Sequence, residues 1–277
     1  MPWPLERYAR LDDMPEGHTL HRLARQHQRR FGRAPVVVSS PQGRFEAGAA
    51  MVSGHVLKKA TAWGKHLFHH YEGGRVVHVH LGLYGTFTEK PVPLPLPVGQ
   101  VRMRMLGAEY GTDLRGPTVC EVIEEPEIAD VIAKLGPDPL RADADAELAW
   151  RRISKSRRPI GALLMDQAVM AGVGNVYRSE LLYRHRIDPL RPGTTITADE
   201  FDAMWTDLVA LMKVGVRRGK IIVVRPEHDG GAPSYRQGRP RTYVYRRAAE
   251  PCRVCGTGVR TTVLEGRNLF WCPTCQS

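Results

Sequence analysis

The spacing of apolar positions along the chain changes character partway through and divides it in two. From Thr19 the period is helical: Leu20, Leu23, Ala24, His27 and Phe31 share one face, with Arg22, Arg25, Arg29 and Arg30 outside it. Short β-prone runs follow at 36–38, 55–59, 65–71, 76–81, 101–105 and 118–123. In the fourth run Val77, Val79 and Leu81 alternate with His78 and His80. Many short strands with turns between them predict a sandwich or barrel. The proline-rich segment 90–99 (KPVPLPLPVG) predicts an extended connection.

Beyond Lys134-Leu-Gly-Pro-Asp-Pro the pattern turns helical, at 146–153, 160–170 and 175–185. The clearest helix comes next. Thr197 and Glu200 have capping-box spacing, Ile196 can staple onto Phe201, and Phe201, Trp205, Leu208 and Met212 form a buried stripe. A Gly/Pro/Arg-rich stretch at 225–241 predicts a loop.

The end of the chain carries its own chemistry. Cys252, Cys255, Cys272 and Cys275 are spaced C-x2-C-x16-C-x2-C. Two such pairs supply four thiolates, a closed tetrahedral shell for one structural zinc ion. So small a module needs such a staple, because it cannot bury enough core. Between the pairs, 260–264 and 268–271 predict a hairpin with Glu265-Gly266-Arg267 at its tip. Arg267 could reach a phosphate there; taken alone it reads as a solvated turn arginine. The fifth cysteine, Cys120, reads as a small core residue.

Length and charge narrow the class. The 277 residues suit one large domain, or two ordinary ones plus a small module. A net charge of +11 points to a polyanionic partner, nucleic acid ahead of a membrane surface. No apolar run is long enough to span a bilayer, and the first residues lack a signal peptide's apolar segment.

Met14-Pro15-Glu16-Gly17-His18-Thr19-Leu20 resembles the N-terminus of the formamidopyrimidine-DNA glycosylase/endonuclease VIII family. Residues 171–177 (AGVGNVY) are similar to that family's helix–two-turn–helix, and 266–276 (GRNLFWCPTCQ) to its zinc-finger hairpin. Trp63-Gly64-Lys65 sits where the family carries its catalytic lysine, and 79–85 (VHLGLYG) looks like the endonuclease VIII wedge loop, with Gly82 where that branch's best-known members have glutamine. The resemblance covers nearly all of 14–277, in family order.

The resemblance implies an α+β multidomain protein: a β-sandwich domain with flanking helices at 14–134, a helix–two-turn–helix domain at 135–248 and a zinc finger at 249–277. It implies a bifunctional DNA glycosylase and AP lyase that removes oxidised bases, pyrimidines first. Pro15 would be the nucleophile, since an N-terminal proline is a secondary amine that can form a Schiff base with the deoxyribose C1′. β,δ-Elimination would follow. Glu16 would move protons, Lys65 would protonate or hold groups at the damaged nucleotide, and Arg267 would assist the last elimination and grip phosphate. Leu83 and Tyr84 would fill the gap left by the extruded nucleotide. Lys134 and Asn175 would hold phosphates, with Arg157 and Arg158 as further candidates.

Taken alone, these residues have plainer readings. Pro15 and Glu16 suit a helix start, Lys65 a surface lysine, and Leu83 and Tyr84 the end of a core strand. His78 and His80 allow a second metal site or a polar sheet face. As written, Pro15 is internal and its nitrogen an amide, so residues 1–13 read as an upstream extension and Met14 as the start. Damaged double-stranded DNA is the expected partner, in a basic cleft between the domains. The expected form is a monomer in the bacterial cytoplasm, nucleoid-associated, without small-molecule cofactor or membrane contact.

Overall fold

The computed structural model describes residues 15–229 and 241–277. The proposed extension 1–13, and 230–240 of the expected loop, lie outside the described residues. The chain divides into two compact units, one ending at Ile132 and the other beginning at Ala133.

In the first unit, α1 (Gly17–Phe31) buries Leu20, Ala24, His27 and Phe31, the face its spacing predicts. It begins two residues before Thr19, with Glu16 as N-cap. After it come β1 (Val37–Ser39), α2 (Glu46–Val52), β2 (Leu57–Trp63), β3 (His66–Tyr71), β4 (Arg75–His80), β5 (Thr86–Pro91), β6 (Val101–Leu106), β7 (Tyr110–Arg115), β8 (Val119–Glu124) and α3 (Glu127–Ile132). The strands form two antiparallel sheets, β1-β6-β7-β5 and β2-β3-β4-β8.

The sheets share one core. Val38, Met103, Met105 and Leu114 come from the first, and Leu57, Leu67, Tyr71, Val77 and Val79 from the second. α1 and α2 add Leu20, Phe31, Ala49 and Val52, and Cys120 packs against its edge. The Tyr71 hydroxyl donates to Met105 Sδ at 3.3 Å, tying the sheets together. Burial pushes the Cys120 thiol up to about 12, so it stays a protonated core group.

Four elements of this unit escape sequence reading: α2, α3, β5 and β7. β7 (YGTDLR) does not alternate, yet Gly111–Leu114 are all buried. It lies inside its sheet, where Asp113 accepts two hydrogen bonds from Arg104 on β6, at 2.7 and 2.9 Å. That paired charge is what lets a polar strand be buried. β5 is an exposed edge strand that ends at Pro91, so the extended connection begins only there. His78, expected on a polar face, is 4 % exposed.

The second unit contains α4 (Ala146–Ser154), α5 (Ile160–Leu163), α6 (Asn175–Arg184), α7 (Ala198–Arg218) and a hairpin of β9 (Arg260–Leu264) and β10 (Arg267–Trp271). The capping box of α7 is formed: Glu200 N–H donates to Thr197 Oγ1 at 3.2 Å, and Thr197 N–H to Glu200 Oε2 at 2.9 Å. Phe201, Leu208 and Met212 of its stripe are buried and Trp205 half-buried. The helix expected over 160–170 stops at Leu163. There Asp166 Oδ1 accepts from Ala168 N–H at 3.0 Å, and Gln167 bonds Met165 O, Val173 O and Gly172 N–H. These side chains take over backbone partners that a helix would use. The hairpin turn is Glu265-Gly266, both at positive φ, so Arg267 opens β10 and is not at the tip.

Candidate active site and metal centre

The residues that carry the expected chemistry fall in both units. In the first, Pro15 is half-buried and leads straight into Glu16, which is 1 % exposed and stands at the N-cap position of α1 without a side-chain cap bond. Thr19 N–H donates to the Glu16 carbonyl at 2.8 Å, closing the first helical turn. Lys65 is half-buried in the two-residue turn Gly64-Lys65 between β2 and β3, with Gly64 at φ 56°. A glycine in the first turn position suits the twist of a tight hairpin.

Leu83 and Tyr84 sit on the loop between β4 and β5, and Tyr84 is 80 % exposed. Two glycines shape that loop. Gly82 has φ 66°, and a Cβ there would lie 2.4 Å from Thr118 Cγ2. Gly85 donates its N–H to Leu81 O at 2.9 Å, where a Cβ would come within 2.2 Å of the same oxygen. Crowding and backbone conformation thus explain glycine at position 82. A large, exposed aromatic ring on so tight a loop is a surface group, not the core end of a strand.

A histidine network runs across β3, β4 and β8. Among the ring contacts, His66 Nδ1 lies 2.9 Å from His78 Nε2, and His78 Nδ1 3.0 Å from Glu121 Oε1. Gly82 N–H donates to His80 Nδ1 at 3.1 Å. Burial, then His80, His78 and Lys65, push His66 down to about 3. Among the described residues, these side chains do not form a cluster of ligand atoms close enough to hold a metal ion.

In the second unit Lys134 is exposed and Asn175 opens α6. Asn175 Nδ2 donates to Asn268 O at 2.8 Å, and its Oδ1 accepts from Arg178. Asn268 follows Arg267, so two of the expected phosphate ligands, Asn175 and Arg267, are brought together. Arg157 is exposed. Arg158 makes a bidentate pair with Glu265 at 2.7 and 2.9 Å and bonds Asp166 at 2.8 Å. These bonds tie Arg158 to the hairpin turn.

The four cysteines converge. Their Sγ atoms all lie within 4.8 Å of one another, with Cys252–Cys275 at 3.9 Å and Cys255–Cys272 at 3.5 Å. A tetrahedral zinc with Zn–S bonds of ~2.3 Å has S···S edges of about 3.8 Å, so the donor set fits zinc. The Tyr183 hydroxyl is 3.0 Å from Cys252 Sγ, an outer hydrogen bond of the kind that steadies a thiolate ligand.

Family models match in chain order: the formamidopyrimidine-DNA glycosylase N-terminal domain over 14–116, its H2TH domain over 135–226, and the zinc finger found in FPG and IleRS over 249–277. "Endonuclease 8 1" of Mycobacterium tuberculosis is 74% identical over 268 residues, spanning 95% of this chain and 100% of that protein. The chain belongs to the formamidopyrimidine-DNA glycosylase/endonuclease VIII family. "Formamidopyrimidine-DNA glycosylase" of Thermus thermophilus is 31% identical over 249 residues, 87% of this chain and 89% of that one. In fold, the chain resembles the Lactococcus lactis Fpg solved with abasic-site DNA, with a TM-score of 0.79 at 19% identity over 95% of this chain and 99% of that one.

The family is one of DNA glycosylase/AP lyases, and this member falls in the endonuclease VIII-like branch. It is a zinc-finger DNA glycosylase of base excision repair.

Sequence reading missed two buried charges of this glycosylase, Arg178 and Glu180, each 0 % exposed on α6. Glu180 accepts backbone N–H groups from Tyr243, Val244 and Tyr245 at 2.7, 2.9 and 2.7 Å. Burial pushes its pKa up, while those three donors and Arg247 pull the other way. The available signal was a helix, NVYRSELLYR, with charged residues among apolar ones on every side. Such a helix is buried all round and needs internal partners.

Proposed function

We propose that the chain is a bifunctional DNA glycosylase/AP lyase that excises oxidised bases, pyrimidines preferentially. The observation that carries the reading is Pro15-Glu16 leading directly into α1, at the point where the N-terminal family model begins. In the active form Met14 is the start and its loss leaves Pro15 as the first residue, because only a free ring nitrogen has a usable lone pair. That nitrogen attacks C1′ of the damaged nucleotide; the base leaves and an iminium forms. The iminium makes the C2′ proton acidic, so its loss expels the 3′ phosphate, and a second elimination expels the 5′ phosphate.

Buried Glu16 moves protons at the opening sugar. Lys65 holds or protonates groups at the nucleotide. Leu83 and exposed Tyr84 fill the vacated stack, which favours the endonuclease VIII type of lesion. Lys134, Asn175 and Arg267 hold phosphates, and Arg267 assists the last elimination. The domains follow the expected limits, 14–134, 135–248 and 249–277. One zinc ion, held by Cys252, Cys255, Cys272 and Cys275, staples the finger on which Arg267 rides. The protein acts as a monomer, without small-molecule cofactor or membrane contact, on damaged double-stranded DNA in the cytoplasm, associated with the nucleoid.

Borohydride trapping tests this. A zinc-loaded chain whose first residue is Pro15 should become covalently joined to thymine-glycol and abasic duplexes, and a chain beginning at Met1 should not. A Pro15-initiated chain that gives no adduct and leaves both duplexes intact overturns the reading.

A further inference from the structure

Two connections cross between the sheets of the first unit side by side. One, residues 81–85, leaves β4 and enters β5, with Leu83 and Tyr84 on it. The other, Gly116-Pro117-Thr118, leaves β7 and enters β8. β4 pairs with β8 and β5 with β7, so His80 lies opposite Val119 at one end and Thr86 opposite Arg115 at the other. Pro117 is buried, and its ring fixes the backbone φ of the shorter connection.

Thr118 meets the longer connection with three groups. Its N–H donates to the His80 carbonyl at 2.9 Å. Its hydroxyl lies 3.0 Å from the same oxygen and 2.9 Å from His80 Nδ1, with one hydrogen to give. Its Cγ2 methyl lies against Gly82, where a Cβ would stand 2.4 Å from it. Gly82 N–H donates to the same His80 Nδ1 at 3.1 Å, so that nitrogen holds a lone pair and the ring hydrogen sits on Nε2. At the far end Gly85 N–H donates to Leu81 O at 2.9 Å, and a Cβ at Gly116 would stand 3.2 Å from Tyr84 O. The backbone on both sides of Leu83 is thus held, while the Tyr84 ring stands 80 % exposed.

We propose that Thr118 is a positioning residue for base extrusion: from the β7–β8 connection it locks the wedge loop, so that Leu83 and Tyr84 enter the stack already ordered. This inference rests on the reading of Leu83 and Tyr84 as the residues that fill the vacated stack. A loop free to move would have to be ordered while the nucleotide is extruded, and the entropy lost then would raise the barrier. Thr118 acts through the loop and takes no part in the chemistry at C1′.

Thr118→Ala keeps the N–H and removes both the hydroxyl and the methyl. In the zinc-loaded chain beginning at Pro15, it should slow single-turnover release of thymine glycol from an intact duplex about tenfold, the entropy of one freed backbone residue. Cleavage at a preformed abasic site should slow less. Thr118→Ser keeps the hydroxyl and should recover most of the rate. Thr118 is exposed, so the urea midpoint should hold in both variants. Hydrogen exchange at the Gly82 amide should quicken in T118A. Added to a chain that already carries Leu83→Ala and Tyr84→Ala, T118A should slow excision by less than about twofold, because the side chains that the lock serves are gone.

Parent-like excision by T118A overturns the role, and so does a full tenfold slowing in the chain without both wedge side chains. A Gly82 amide that exchanges as fast in the parent as in T118A overturns the lock. A chain carrying L83A and Y84A that excises at the parent rate overturns the wedge reading, and with it the role of Thr118, while leaving the exchange result standing.

Discussion

Glu180 offers the sharpest test of how the second unit holds its zinc finger. Its carboxylate collects three backbone N–H groups from consecutive residues: Oε1 accepts from Val244 and Tyr245, and Oε2 from Tyr243. All four residues are buried. Glu180→Ala leaves three buried donors without an acceptor, each costing about 1–3 kcal/mol. Relaxation around the segment and relief of the buried charge offset part of that sum, so the expected loss is about 4 kcal/mol. Glu180→Gln should lose about 2 kcal/mol, because its one oxygen still serves two donors while its amide N–H₂ confronts the third.

The assay is urea denaturation of the zinc-loaded chain, with hydrogen exchange read at the amides of 243–245. Those amides should lose protection before the rest of the second unit, since residues 243–245 run directly toward Cys252. If Glu180→Ala stays within ~0.5 kcal/mol of the parent and the three amides remain protected, the carboxylate is not what satisfies them, and the reasoning fails.

Other expectations follow from the same geometry. Burial holds His18, His66 and His69 down to about 3, against an ordinary value of 6.5. The unfolded chain therefore binds protons that the folded one refuses. Stability is full above pH 6.5 and falls as pH drops from there toward 3, by up to about 1.4 kcal/mol per pH unit for each histidine. Urea midpoints at pH 7.5 and 5 measure it, and replacing the bonded pair His27 and His69 together by leucine should flatten the slope. Tyr183→Phe removes the hydroxyl beside Cys252 Sγ and should speed zinc loss to a chelator about tenfold, read by metal-indicator absorbance. Tyr84→Ala should leave stability within ~0.5 kcal/mol, because the ring is 80 % exposed, yet slow excision from an intact damaged duplex more than cleavage at a preformed abasic site.

Much of the candidate site was legible because its signals are local. Two cysteine pairs announce a tetrathiolate from their own spacing, and Thr197 and Glu200 cap α7 from residues three apart. Pro15-Glu16 and the Lys65 turn lie in short contiguous motifs. β7 and the early end of α5 were not legible. A strand of glycine, threonine and aspartate is buried only because Arg104 waits on the next strand, and 164–170 leave the helix because Asp166 and Gln167 bond the backbone themselves.

Sequence alone determined the family, the helix that Pro15 and Glu16 lead into, and the metal-binding set. Each depends on residue type and spacing over a few positions. Tertiary structure decided the partners: Glu180 with an N–H cluster 63–65 residues away, His78 with His66 at 12 and Glu121 at 43, and Asn175 with the hairpin at 93. A buried polar group must find a partner, but sheet register and helix packing choose which one, and neither is set by neighbours along the chain.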